Sequence, residues 1–248
     1  MVLVFDVWSD LAMFRKPYTT TSQVSFPFPP PTAVAGLVSA IVGLGHGAEK
    51  EASNAAYWGS MAESQIGIGF INRIQYYSTT INLLKFKSRN GDMGEHIQSK
   101  HQMLKTPRFR IYFQGGQLYS QLKKRLENKE FVFTPCLGAA YALADISYIG
   151  EFEAMDINEI ETWVDTVVPL YDGVQLDVMR GRGLHRERVP FQMNSNRELI
   201  KTVSVVYPEI VSRTSETIEQ SRRIWLKNRG SVTVSQVGED RVSWFEKW

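Results

Sequence analysis

A single cysteine in 248 residues, Cys136, leaves no partner for an intrachain disulfide and points to a reducing compartment. Four histidines, His46, His96, His101 and His185, are too scattered to form zinc-ligand spacings with it. Neither a structural metal nor any other cofactor is expected. Long apolar runs are equally scarce: Ala33–Leu44 falls short of the roughly 20 residues that span a bilayer. The opening MVLVFDVWSD is interrupted by Asp6 and lacks a basic lead, so it reads as a strand and not as a signal peptide. These scarcities describe a cytoplasmic protein with no membrane partner. What is present, 43% hydrophobic and 12% aromatic residues, suffices for one large domain or a domain with a second lobe.

Net charge is only +2, but it is unevenly distributed. Arg73–Arg110 holds eight basic residues against Asp92 and Glu95, a balance of +6, and Arg180–Arg188 holds four arginines against Glu187, a balance of +3. The rest of the chain is therefore at −7, and Glu151–Asp177 carries eight acidic residues with no Lys or Arg. Basic islands on an otherwise acidic protein suit a polyanion received at chosen places, although an island can also be no more than a solvated face.

Periodicity supplies the elements. Val2–Trp8 alternates as a first strand, followed by a loop over Asp10–Gln23 with polar tips and the aromatics Phe14 and Tyr18. Ala48–Met61 reads as a short helix or irregular connection. Ser64–Tyr77 reads as a strand whose glycines mark a bulge or a close backbone approach. Polarity then rises from Ser78 to Thr106, consistent with an inserted hairpin arm. Pro107–Gln114 is a strand and Gln117–Asn128 an amphipathic helix with Leu118, Leu122 and Leu126 on one face. Phe131–Gly138 is extended into a turn, Ala139–Asp145 is a short helix, and Ile146–Phe152 is a strand. Beyond Asp156 strands dominate, at Thr202–Tyr207, Ser231–Val237 and Arg241–Phe245, the last two joined as a hairpin at Gly238-Glu239-Asp240. The fold class is α+β: a βαββαβ, ferredoxin-like core of the kind found in RNA-recognition modules over 1–155, an arm at about 78–106, and a β-rich lobe over 156–248.

The most distinctive string is Ser25–Leu44, SFPFPPPTAVAGLVSAIVGL. Its prolines fix φ and bias the residues before them toward extended geometry, so Phe26 and Phe28 are carried on a stiff rod. Thr32 is positioned to cap an almost wholly apolar helix that Gly43 ends. With Phe14-Arg15-Lys16-Pro17 upstream, PFPPPTAVAGL resembles the N-terminal signature of the fifth CRISPR-associated (Cas) family. That family is the RAMP-type subunit of type I Cascade complexes that holds the 5′ handle of the guide RNA. The resemblance covers roughly the first 150 residues. The strings SFPFPPPTAVAGL and HQMLKTPRFRIYF are similar to its type I-B-like, non-cutting branch. The resemblance implies crRNA as ligand, Cascade backbone subunits and the large subunit as partners, and target DNA reached only indirectly through the complex. It also implies that the arm is a thumb wedged against the guide.

On these grounds RNA contact is assigned to Arg15, Tyr18, Arg73, Lys85, Lys87, Arg89, Lys100, His101, Lys105, Arg108, Arg180, Arg182, His185, Arg186 and Arg188. Lys85, Lys87 and Arg89 alternate, so on an extended arm they share one face and track phosphates. In Arg180-Gly181-Arg182-Gly183 the glycines let a bending backbone bring its N–H groups and the guanidiniums to an anion. Thr134-Pro135-Cys136-Leu137-Gly138 looks like a family turn that places Gly138 at a bend. Acidic Glu151–Asp177 suits protein contact. No catalytic residues are assigned. The competing function is a metal-independent endoribonuclease that processes CRISPR repeat RNA, for which His101 beside Lys100, with Tyr76 or Tyr77, or His185 among its arginines, supplies the residue types. On a regular strand, however, Lys100 and His101 point to opposite faces. A third possibility is an interaction protein whose basic islands are only solvated.

Overall fold

The structure, a computed structural model, describes residues 1–20, 22–45, 57–84, 96–180, 183–209 and 222–248. The first part runs β1 (Val2–Trp8), β2 (Leu11–Ala12), β3 (Ser22–Val24), α1 (Pro31–Val42), α2 (Tyr57–Ser60), β4 (Ser64–Phe70), β5 (Tyr76–Leu84), β6 (His96–Lys105), β7 (Arg108–Gly115), α3 (Tyr119–Asn128) and β8 (Asp145–Phe152). Four of these strands form an antiparallel sheet in the order β4-β7-β1-β8. β1 lies inside this sheet, and its two faces enter different cores. Leu3, Phe5 and Val7 join the main core with Val34, Leu37, Val38 and Ile41 of α1, while Val2 and Val4 pack with Tyr112, Val242 and Trp244. That is why the strand is apolar on both faces except at Asp6.

α1 begins earlier than Thr32 suggests. Pro30 is the N-cap and Pro31 the first helical residue, where a missing N–H costs nothing, and no side chain caps the end. Thr32 therefore sits within the first turn. At the other end Gly43 takes the left-handed conformation and its N–H bonds Ser39 O, the stop expected of glycine.

The single strand expected over 64–77 is two. β4 stops at Phe70, residues 71–75 form no strand, and Tyr76 opens β5. Within β4, Gly67 is the close approach anticipated: a Cβ there would overlap the Val242 side chain. β5 and β6 pair antiparallel from Tyr76↔Leu104 to Leu84↔His96. Residues 85–95, which carry Lys85, Lys87 and Arg89, lie outside the described residues, as do His46 and most of the connection expected before Met61. β6 also pairs with β2 and, in parallel, with β3, so β6 is central to a second sheet.

No helix forms over 139–145. The backbone there is committed to a turn, with Leu137 N–H bonding Ala142 O and Ala144 N–H bonding Pro135 O across a Cys136↔Leu143 bridge. Gly138 is at the bend, at φ +86°, and a Cβ there would lie 2.1 Å from the Met13 carbonyl oxygen, a position no L side chain fits.

The C-terminal part contributes β9 (Ala154–Asp156), β10 (Thr162–Val164), β11 (Val168–Pro169), β12 (Val174–Leu176), β13 (Leu184–Met193), β14 (Leu199–Pro208), β15 (Ile224–Arg229), β16 (Val234–Val237) and β17 (Asp240–Ser243). They form three small sheets, β10-β15-β12, β11-β14-β13 and β17-β16-β9. The hairpin expected near Gly238 is the β16–β17 pair. The segment Arg180–Arg188, whose glycines suggested a bending loop, is not a loop throughout: from Leu184 it is strand, paired with β14. Val189 and Phe191 of β13, with Val203 and Val205 of β14, anchor that pair in the main core under α1.

Candidate nucleic-acid interface

The segment 13–18 is pinned before it reaches the surface. Met13 N–H bonds Leu137 O, Phe14 N–H bonds Ser25 Oγ, and Lys16 N–H bonds Val24 O, while Arg15 bridges Ser25. Phe14 is thereby turned inward, edge-on to Phe109, Arg15 and Tyr18 are left exposed, and Lys16 is half-buried. Lys16 forms an ion pair with Glu187 of β13, and Tyr18 donates to the same carboxylate at 3.4 Å. The Lys16 ammonium lies over the rings of Phe26 (5.4 Å) and Tyr18 (5.9 Å). Burial works against the charge on Lys16, but the hydrogen bond and charge of Glu187 outweigh it and hold its pKa above the ordinary value.

This ion pair joins the N-terminal loop to the second basic island, and aromatic rings fill the junction. His185 stacks on Tyr207, its partner in the β13–β14 register, at 5.3 Å and 25°. Phe28 of the proline rod meets the same tyrosine at 5.6 Å. The stiff Phe26-to-Pro31 run thus floors a surface that carries Tyr18, Tyr207 and His185. Burial is the main cause that raises the pKa values of Tyr76 and Tyr207, so both phenols stay protonated hydrogen-bond donors.

The second island itself divides. Strand alternation places His185 and Glu187 on the face toward Lys16 and puts Arg186 and Arg188 on the other. There, among the described residues, the two guanidiniums donate only to hydroxyls, Arg186 to Ser204 at 3.4 Å and Arg188 to Thr202 at 2.9 Å. Arg180 is elsewhere: it pairs with Glu161 at 2.7 Å and Asp177 at 3.4 Å and lies over the Trp225 ring. Arg182 is outside the described residues.

The first island divides too. Lys100 and Lys105 are exposed on β6, and Arg73 is half-buried between β4 and β5. Arg108 lies over the Trp8 ring at 4.9 Å and is 3.7 Å from Asp6. Arg110, counted in the island's charge, is spent inside the protein on Asp6 and Asp240.

His101 is the unusual member. It sits in β6 between Gln23 of β3 and Thr79 of β5, only 6% exposed, and neither ring nitrogen has a hydrogen-bond partner among the described residues. Burial first, and then the charge of Arg15, push its pKa below the ordinary 6.5. Its ring lines a groove of about 570 Å³ together with Arg15, Gln23, Thr32 and Tyr141. Arg15 is the charged group that acts on it, while Gln23, Thr79 and Tyr141 neighbour it as uncharged groups. The neutral ring makes stability acid-sensitive. As pH falls below about 6.5, the unfolded chain takes up a proton that the folded chain resists, and stability declines until the folded ring titrates. Thermal melts between pH 7.5 and 5 should show this decline, and it should be shallower in His101→Phe; equal slopes in the two proteins would refute it.

Sequence reasoning assigned Arg15, Tyr18, His101 and His185 to RNA and named Tyr76 only for cleavage, but did not single out Lys16, Tyr141, Glu187 or Tyr207. Lys16 and Glu187 stand 171 positions apart, Tyr207 gains its place only through strand register, and Tyr141 gains its place through the turn after Gly138. Among the described residues no group of three or more His, Cys, Asp or Glu is arranged to hold a metal ion, and no helix is long and apolar enough to cross a membrane.

The family model described as CRISPR-associated protein (Cas_Cas5) matches residues 2–167. Solved structures with a similar fold include a CRISPR protein from Archaeoglobus fulgidus, 16% identical at a TM-score of 0.58, with 98% of this chain and 99% of that chain covered. They also include a chain of the type III-B Cmr-beta complex bound to cognate target RNA and AMPPnP, 10% identical at a TM-score of 0.52, with 91% and 86% covered. No curated protein matches the sequence.

Proposed function

The chain belongs to the Cas5 family of CRISPR-associated proteins, and from that premise we propose that it is a non-catalytic RNA-binding subunit of a type I, I-B-like interference complex. It grips the 5′ handle of the crRNA and caps one end of the guide ribonucleoprotein, against backbone subunits and the large subunit, and meets target DNA only through the assembly. The observation that carries this reading is the junction of Lys16, Tyr18, His185 and Tyr207, aromatic rings and a basic group over a rigid floor, with Arg15 exposed on the same loop. Unpaired RNA is held by that combination of stacking and phosphate contact. The sheet order β4-β7-β1-β8, with α1 after the first strand and α3 after the third, supports a ferredoxin-like core. The β5–β6 ladder supports a hairpin arm that carries Lys85, Lys87 and Arg89 toward the guide.

Cleavage would need a base and an acid converging on one phosphate. His101 is opposite Thr79, and Tyr76 is three residues further along β5, about 10 Å away at strand spacing. Lys100 points to the other face of β6 from His101. Both features favour a scaffold over a nuclease.

The test uses purified protein and end-labelled CRISPR repeat RNA in EDTA, run on native and denaturing gels. A retarded band without new fragments is the expected result. A discrete cut that persists in EDTA and disappears in His101→Ala would replace the scaffold with the nuclease.

A further inference from the structure

The two edges of the main sheet are finished differently. β4, at one edge, is closed by the C-terminal part of the chain: Val167 N–H bonds Ile68 O, Phe245 N–H bonds Ile66 O and Trp248 N–H bonds Ser64 O. β8, at the other edge, pairs only with β1 among the described residues, and the backbone groups on its outer side have no described partner. A row of unmet N–H and C=O groups is a template for another strand, and proteins commonly blunt it with proline, lysine or a very short strand. β8 has eight residues, Asp145–Phe152, and contains neither proline nor lysine. Its one bulge, where the register with β1 shifts between Val4 and Phe5, leaves Asp145–Tyr148 regular and takes Ile149 out of the pairing. Ile149 is 42% exposed.

Beside this edge lies a cavity of about 500 Å³, walled on its apolar side by Val4, Ile149, Phe152 and Val237. The Arg110 and Arg222 guanidiniums that also line it are already met by Asp6, Asp165 and Asp240. On the opposite face of β8, Glu151 accepts from Tyr119 at 2.7 Å and Lys123 at 2.6 Å, and Glu127 lies 3.9 Å from the same ammonium. Asp145, Glu153 and Glu239 are exposed. Five carboxylates thus stand along or beside the edge, against Lys123 and the N-terminal amine that acts on Glu151. That sign decides the occupant. A second copy of the chain, related by a two-fold axis, would bring like charges opposite one another, which is destabilising. A strand that carries lysine or arginine is attracted instead.

We propose that β8 is a docking edge, at which an extended basic segment of a partner protein adds to the main sheet as a fifth strand. Main-chain hydrogen bonds run along Asp145–Tyr148, and an apolar side chain of the added strand enters the cavity at Ile149. Its lysines or arginines meet Asp145, Glu153 and Glu239. The proposal is independent of RNA binding. It requires only that the chain works inside an assembly, as proposed above.

The test compares hydrogen exchange in the tagged full chain alone and in the complex purified through that tag from its native cells, with mass spectrometry of peptides that cover β8. Outward-facing amides of β8 should exchange about tenfold or more slowly in the complex than in the free chain, whereas those of β7, inside the sheet, should not change. Asp145→Lys/Glu153→Lys, at exposed positions, should weaken retention of the partner by about tenfold or more through like-charge repulsion. Ile149→Asp should weaken it too, by placing a carboxylate at the apolar wall. Thermal melts and repeat-RNA binding of both variants should match the wild type. Unchanged β8 exchange in the complex, or a partner fully retained by both variants, overturns the proposal and leaves the assembly standing. Slowed exchange in the chain alone at rising concentration, with a dimer in sedimentation, would give the edge to a second copy and overturn it as well. A chain recovered with no protein bound would remove the assembly itself, and this proposal with it.

Discussion

Asp240→Ala is expected to lower folding stability by about 3–5 kcal/mol, the cost of stranding buried charges by removing one partner. Asp240 is 5% exposed and accepts three hydrogen bonds: from Tyr112 Oη at 2.7 Å, Arg110 Nη1 at 3.2 Å and Arg222 Nη2 at 2.6 Å. Arg110 is shared, since its Nε bonds Asp6 at 2.8 Å from the neighbouring strand β1. Without Asp240 the Tyr112 hydroxyl is left buried with no acceptor and two guanidiniums face one another across the space it occupied. The protein already shows how strongly these groups are coupled. The hydrogen bond to Asp6 is the largest influence that raises the pKa of Arg110, and burial followed by the charge of Asp240 drives Tyr112 far above its ordinary value. Asp240→Asn should cost less, because its amide oxygen still accepts from Tyr112. An exposed pair provides the contrast. Glu63→Gln removes a 2.6 Å contact with Lys247 that both partners make in solvent, and should change stability by less than about 1 kcal/mol. Urea denaturation of the four proteins decides the matter. A loss under about 1 kcal/mol for Asp240→Ala would mean that the network contributes no more than a surface pair.

The network also illustrates what could be read from the chain and what could not. Alternation in β1 places Asp6 on the same face as Val2 and Val4, and alternation in β7 places Arg110 with Tyr112; the pairing Asp6↔Arg110 follows once the two strands are neighbours. The proline rod, the α1 stop at Gly43, the bend at Gly138 and the β16–β17 hairpin were legible for the same reason, because short-range chemistry decides them. The fate of Arg180–Arg188 was not. Alternating glycine and arginine signals a loop, and no local preference outweighs it; from Leu184 onward the strand exists because β14 supplies its hydrogen bonds and the main core takes Val189 and Phe191. The helix expected at 139–145 failed in the same way, since its backbone groups bond back across the turn to Pro135 and Leu137. His101 is the opposite case. Its residue type marked it as functional, but only the flanking strands β3 and β5 reveal that it is buried and, among the described residues, unpartnered.

The division of the second island yields the other large effect. Arg186 and Arg188 are two residues apart on one face of β13, exposed, and among the described residues their guanidiniums bond only neutral hydroxyls. Their charge is unspent, unlike that of Arg180, which two carboxylates already meet. If the proposed RNA follows this face, Arg186→Ala/Arg188→Ala should reduce affinity for repeat RNA by about tenfold or more per arginine, from the roughly 1.5–3 kcal/mol carried by a hydrogen bond to a charged group. Counterion release gives a second readout that lost shape complementarity would not move. Each phosphate contact on single-stranded nucleic acid contributes about 0.7 to the slope of log affinity against log salt, so the double variant should be shallower by about 1.4. The corresponding double lysine variant keeps both charges and should retain most of the slope, while losing affinity because an ammonium cannot make the forked contact of a guanidinium. Arg180→Ala should leave the slope nearly unchanged. An alanine pair that binds with undiminished slope would take this face of β13 off the RNA path and leave the grip to Arg15, Tyr18 and the arm.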